Sequence, residues 1–113
     1  MSTFSTGRRA EAAAAAFLQA RGCQIVARNW RTRWCEIDIV AERQAVIYFC
    51  EVKYRRTQAQ GTGLDYITAQ KLAQMRFAAE SWVHRYAWMG EYQLCAIEVS
   101  GAGFAVTAAV KDL

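Results

Sequence analysis

The sequence predicts an α/β domain, a mixed sheet with helices packed on it, in the order α-β-β-β-α-β-β. Three observations carry this expectation. The alanine-rich run after Gly7 has the composition of a helix. Apolar residues between Asp65 and Tyr86 recur at the helical period. Five short runs rich in Ile, Val, Phe and Tyr stand between and after those stretches, and they read as strands. With 113 residues, 54% hydrophobic and 21% charged, the chain has the size and balance of one globular core, so residues 1–113 are expected to form a single domain.

Ser5 or Thr6 is placed to cap the first helix, which continues through Arg8-Arg9-Ala10-Glu11 to about Arg21 before Gly22 stops it. On a helical wheel Glu11 falls beside Ala14, Ala15 and Leu18, at or near the apolar stripe. Taken alone, such a residue is more often a solvent-facing helical carboxylate. Residues 23–30 read as the first strand, and Arg31-Thr32-Arg33 as a tight connection to a second strand at 36–41. A turn over 42–45 leads to a third strand ending at Tyr54. Residues 55–63 are polar, contain Gly61 and Gly63, and lack a hydrophobic period, which suggests a mobile loop. The second helix is expected from about Asp65 to Tyr86, with Thr68, Leu72, Met75, Ala79 and Trp82 on its stripe and Lys71, Arg76 and Arg85 off it. Strands at 92–99 and 104–110 follow, joined by a turn at 100–103.

Charged side chains interrupt the second and third strands, which are otherwise apolar and β-branched. Strand side chains alternate faces, so Asp38 is expected to share a face with Glu36 and Val40, and Glu51 and Lys53 with Ile47 and Phe49. Burying charges among such neighbours is costly unless they are paired or hold a metal.

The net charge of +4 is uneven: residues 1–60 carry +5 and residues 61–113 carry −1. A basic first half suits a polyanionic partner, although a solvated surface would look the same. Cys23, Cys35, Cys50 and Cys95 form no C-x-x-C pair and His84 is the sole histidine, which argues against zinc. Free thiols in a reducing cytoplasm are expected. No apolar run reaches the roughly 18 residues of a membrane span. The polar start followed by Glu11 is unlike a secretory leader, so a cytoplasmic chain without a membrane partner is expected.

If the second and third strands form a hairpin, Asp38 comes beside Glu51. Two carboxylates that close require a proton or a cation between them. Oxygen donors without His or Cys select Mg²⁺ or Mn²⁺. Glu51 and Lys53, with Cα atoms about 6.6 Å apart on one strand face, both reach one group held between them. An Asp, a Glu and a Lys around such a cation suit phosphodiester hydrolysis, the metal polarising the phosphate and the lysine stabilising developing charge or positioning water. An ion-pair network among Asp38, Glu51 and Lys53 would explain the same residues without chemistry.

On these residues the chain resembles the restriction-endonuclease-like superfamily, whose signature is an acidic residue followed by (Asp/Glu)-x-Lys on the next strand. More closely, it is similar to the small bacterial YraN-like family, related in fold to archaeal Holliday-junction resolvases. The likeness runs from Gly7 to Val99. It rests on Gly7 and Glu11, Arg28-Asn29, Glu36-Ile37-Asp38-Ile39-Val40, Glu51-Val52-Lys53 followed by Arg55, and Lys71. It implies a restriction-endonuclease-like mixed central sheet flanked by helices. It also implies Asp38 and Glu51 as ligands of Mg²⁺ or Mn²⁺, Lys53 as the catalytic lysine and Glu11 as an auxiliary acid. Glu36 belongs to the motif, either within the site or as a strand-end charge. Three departures stand out: Cys35 where the family usually has Gly, Ala10 for the Gly before Glu11, and Gln93-Leu94-Cys95 where it tends to show Arg-Phe-Asp. None removes a proposed ligand.

Arg8, Arg9, Arg28, Arg31, Arg33, Arg55 and Arg56 flank the proposed site in sequence and suit binding of nucleic-acid phosphates, DNA above all, without reading bases. Trp30 and Trp34 either stack on exposed bases or pack against the first helix. No helix-turn-helix, finger or RNP-type motif indicates sequence specificity. His84 is expected at the surface, away from the acidic residues. The expectation is a Mg²⁺-dependent nuclease on structured or branched DNA, resolvase-like and, by that analogy, a homodimer. The alternatives are a nucleic-acid-binding module of the same fold with little cleavage, and an interaction protein whose acidic cluster is a relic.

Overall fold

The structure, a computed structural model, describes residues 3–57 and 63–113. Its elements are α1 (Thr3–Ala20), β1 (Gln24–Arg31), β2 (Glu36–Arg43), β3 (Val46–Arg55), α2 (Ala69–Tyr86), β4 (Glu91–Ser100) and β5 (Ala105–Lys111). The expected order is therefore observed. The five strands form one mixed sheet, ordered β1-β2-β3-β4-β5. Three neighbouring pairs are antiparallel, and β3 with β4 is parallel because α2 carries the chain across the sheet between them.

Each helix covers one face. On α1, Ala10, Ala14, Ala15 and Leu18 pack with Ile39, Ala41, Ile97 and Val99. On α2, Met75, Ala78, Ala79 and Trp82 pack with Ile37, Val40, Ile47, Phe49 and Leu94. The alanines of α1 let its backbone lie close to the sheet while costing little helix propensity.

Local chemistry sets the element limits. Gly22 ends α1 at φ +87°, with its amide bonded to the Gln19 carbonyl and the Cys23 amide to that of Leu18, both at 3.0 Å. At the other end α1 starts at Thr3, so Ser5 and Thr6 lie inside it rather than capping it. α2 begins four residues later than expected, because the Thr68 hydroxyl accepts the Lys71 amide at 3.1 Å and caps the helix there. Thr68 is thus a cap and not part of the stripe. The β2–β3 connection is a two-residue turn, Gln44 and Ala45, both at positive φ, which extends β2 to Arg43. No Asn-Gly pair marks it in the sequence. The loop expected at 55–63 lies largely outside the described residues.

Two findings correct expectations. Cys50 and Cys95 are not free thiols: the parallel register sets them directly opposite, Cα atoms 4.6 Å apart, and they are joined as a disulfide. Cys23 and Cys35 are free. Side-chain alternation also breaks at Asp38. Ile37 and Val40, three residues apart, pack on the α2 side, whereas Ile39 and Ala41 pack on the α1 side. Asp38 therefore does not follow a regular two-residue alternation with Val40. Asn29, between the paired positions Arg28–Ile39 and Trp30–Ile37, sits at φ 52°, a break in the extended backbone of β1 across from Asp38, while the pairing register itself shifts farther along, between Ile25 and Ala27.

Candidate active site

The site begins where two paired strands part. The β2–β3 ladder runs from Arg43–Val46 to Ile39–Cys50. Past that point β2 continues against β1 as far as Glu36, and β3 against β4 as far as Arg55. In the resulting fork the Val52 amide donates to the Asp38 side chain at 2.8 Å. The carboxylate thus takes a place that a backbone carbonyl would hold in an unbroken ladder.

Asp38 is half-buried, and its carboxyl is pushed up to about 7. Burial is the main cause and the negative charge of Glu51 the next, with Glu11 and Glu36 adding to it while the Val52 amide opposes it. Glu11 from α1, Glu36 and Asp38 from β2 and Glu51 from β3 therefore all act on one small region. The half-buried position of Glu11 agrees with its inward placement on the helical wheel.

The cations distribute unexpectedly. Glu51 Oε2 pairs with Lys71 Nζ of α2 at 2.9 Å, not with Lys53. Lys53 is exposed, and its Nζ lies 5.9 Å from the centroid of the Tyr66 ring. The alternative of an ion-pair network among Asp38, Glu51 and Lys53 is thus not found; Glu51 pairs with Lys71 instead. Lys53 pairs with no carboxylate among the described residues.

A second polar group braces the fork. Arg55 is buried, donating from Nε to Glu98 Oε2 at 2.6 Å and pairing through its terminal nitrogen with Asp65. Glu98, 1% exposed, also accepts the Thr107 hydroxyl at 2.7 Å. This network ties the turn before α2 to the sheet and brings Tyr66 over the site. The Tyr66 hydroxyl is buried and has no hydrogen-bond partner among the described residues. Its ionisation is pushed upward by burial first, then by Glu51, Glu98 and Asp38.

Glu11, Glu36 and Glu51 thus lie near enough to Asp38 to act on it, whereas Lys53, exposed on β3, lies beside the Tyr66 ring. Of the arginines, Arg8, Arg9, Arg28, Arg31, Arg33 and Arg56 are exposed, with Arg31 paired to Glu36 at 3.2 Å and Arg9 stacked 4.3 Å over Phe104. Arg55 differs: its guanidinium holds the fold together inside. Trp30 packs edge-on against Tyr86 of α2 and donates to its hydroxyl at 3.1 Å, so it lies beside the second helix and not the first. Trp34 is 75% exposed. His84 is exposed on α2.

Asp65, Tyr66 and Glu98 received no role from the sequence. Glu98 carried the same signal as Glu51, a lone charge in an apolar strand. Asp65 and Tyr66 carried none, because their placement depends on a partner 10 residues away in Arg55. Among the described residues, no group of three or more His, Cys, Asp or Glu side chains is arranged to hold a metal ion.

Comparison with known proteins addresses the fold's lineage. Residues 10–101 match the model of the uncharacterised protein family UPF0102. The chain belongs to the UPF0102 family. A family member from Leifsonia xyli subsp. xyli is 42% identical over 80 residues, covering 71% of this chain and 68% of that protein. One from Parafrankia sp. is 46% identical over 77 residues, covering 68% and 65% respectively. Another, from Herpetosiphon aurantiacus, is 32% identical over 99 residues, covering 83% and 80%. The likeness to YraN-like proteins is thereby supported. The stretch shared with UPF0102 contains Glu11, the whole fork, Tyr66, Lys71 and Glu98, but not Arg8 or Arg9. No helix among the described residues is long and apolar enough to cross a membrane.

Proposed function

We propose that this UPF0102 chain is a restriction-endonuclease-like nuclease, dependent on Mg²⁺ or Mn²⁺, that hydrolyses phosphodiesters in structured or branched DNA. The observation that carries this reading is the fork itself. Asp38 and Glu51 stand where β2 and β3 part, with Glu11 and Glu36 close enough to raise Asp38 and Lys53 exposed on the same strand as Glu51. A half-buried Asp38 pushed up to about 7, by burial first and then by the charge of Glu51, is a carboxyl that a bound cation would favour ionising. The donors there are hard oxygens, the chemistry that suits Mg²⁺ or Mn²⁺. Asp38 and Glu51 would hold the cation, which supplies Lewis acidity at the phosphate when bound. Lys53 offers an ammonium to the charge that develops on the phosphate oxygens. Glu11 adds negative potential from α1. Exposed arginines hold the DNA backbone.

The Lys71–Glu51 pair favours a second reading, because a cation taking both carboxylates must compete with that ammonium. In it the chain is a nucleic-acid-binding module of the same fold with little cleavage. Incubation with branched, single-stranded and duplex DNA in Mg²⁺ or Mn²⁺ separates the two. Cleavage that Asp38→Ala and Glu51→Ala both abolish supports the nuclease, and cleavage surviving either substitution removes it. Two symmetric cuts at a junction call for a homodimer, which light scattering with and without junction DNA tests.

A further inference from the structure

Two grooves adjoin along the outer side of α2, and they share Trp34 and Phe77. The inner groove, about 610 Å³, reaches the proposed site at Glu51 and Lys71. The outer one, about 690 Å³, continues past Tyr86 between Arg31 and Arg85. Trp34 is 75% exposed, Phe77 52% and Tyr86 51%, and all three rings line this one path. Exposed rings of this size are costly to leave in water on a surface with no role for them. Guanidinium groups stand beside two of them, Arg33 5.6 Å from the Trp34 ring centre and Arg85 5.5 Å from that of Tyr86. Glu80 is the carboxylate that lines the outer groove, and Glu36 in the inner one is neutralised by Arg31.

We infer that this path binds an unpaired DNA strand and leads it to Glu51, the bases stacking on Trp34, Phe77 and Tyr86 while the arginines contact phosphates. The inference rests on the nuclease reading and specifies its substrate as DNA with a single-stranded segment. Rings beside guanidinium groups are what a single strand needs and a paired duplex cannot use, because the faces of its bases are already stacked. From Lys71 to Arg85 the helix extends about 21 Å, room for several nucleotides. Continuity with the site chooses this occupant over others: a strand lying on the rings ends at the carboxylates. The tight turn at Thr32, whose hydroxyl accepts the Trp34 and Cys35 amides, holds Trp34 outward over the path.

The test measures binding in EDTA, where nothing is cut, using a thymidine oligomer of about 12 nucleotides and a blunt duplex of equal length. Trp34→Ala and Phe77→Ala alter exposed side chains and leave the core untouched. The expected result is a loss of about tenfold or more in single-strand affinity for the double variant, with duplex affinity unchanged. Tryptophan fluorescence of the wild-type protein should fall on titration and do so much less in Trp34→Phe. Equal single-strand affinity for wild type and double variant overturns the inference, and so does an absence of single-strand binding. Neither result touches Asp38-dependent cleavage, which is judged in Mg²⁺ by its own assay. A variant that binds weakly yet keeps its far-ultraviolet dichroism excludes misfolding as the cause.

Discussion

Asp38 is the residue at which structure and chemistry are most tightly linked. Its carboxyl is raised from 3.8 to about 7, so between those values the folded chain binds a proton that the unfolded chain has released. The stabilising effect is complete below about pH 4 and is lost as pH rises through about 7, on the order of 4 kcal/mol across that window. Asp38→Asn cannot ionise and still accepts the Val52 amide. Urea melts at pH 5 and pH 8 should show a marked fall for the wild type and little for the variant, with the variant the more stable at pH 8. A wild type equally stable at both would refute the assignment. If Asp38 holds the proposed cation, binding must displace the same proton, and Mn²⁺ affinity measured by titration calorimetry should then weaken by roughly tenfold per unit as pH falls below 7. The most stable variant at high pH should therefore be an inactive one.

At the scale of elements, the fork depends on two devices. One is the bend in the backbone of β1 at Asn29, at φ 52° and across from Asp38. Asn29→Gly should be tolerated, whereas Asn29→Val should cost about 1–3 kcal/mol because a β-branched residue is strained there. Melting midpoints of the two variants check this, and equal values would show that the bend does not need the left-handed residue. The other device is the Arg55–Glu98–Asp65 network that holds the turn before α2. Arg55→Met strands the buried Glu98 carboxylate and should cost about 3–5 kcal/mol. A second substitution, Glu98→Met, should recover much of that loss, a coupling that a double-mutant cycle measures. The sequence separates the two glutamates on neither composition nor periodicity. What distinguishes Glu51 from Glu98 is the partner: a helical lysine at the site's edge for the first, and a buried arginine for the second.

At the scale of the whole molecule, the excess positive charge of the first 60 residues is carried by α1, β1, β2 and β3, the elements that build the fork, although Arg21 and Arg43 stand at the far end of those strands. On the proposed reading, binding to DNA should weaken steeply with salt. Arg28→Ala, an exposed change on β1, should lower the slope of log affinity against log salt by about 1 if Arg28 meets a phosphate. Fluorescence anisotropy at several salt concentrations reads the slope directly. Arg55→Met, in contrast, should act through folding and leave the slope of the remaining folded protein unchanged.

Element order, the amphipathic faces and the acidic strands were all legible in the sequence, because they are written in local periodicity and propensity. The pairing of β2 with β3 could also be read, since a short connection between two strands leaves few options but a hairpin. What followed from tertiary structure alone is the state of each charge. Lys71 reaches Glu51 only because α2 crosses back over the sheet, and Arg55 is buried only because Glu98 and Asp65 meet it from residues 43 and 10 positions away. The break in alternation at Asp38 likewise needs the adjacent bend at Asn29, which no two-residue pattern can announce. Local chemistry named the residues of the candidate site; contacts between distant segments decided which of them are buried, which are paired, and which stand open to solvent.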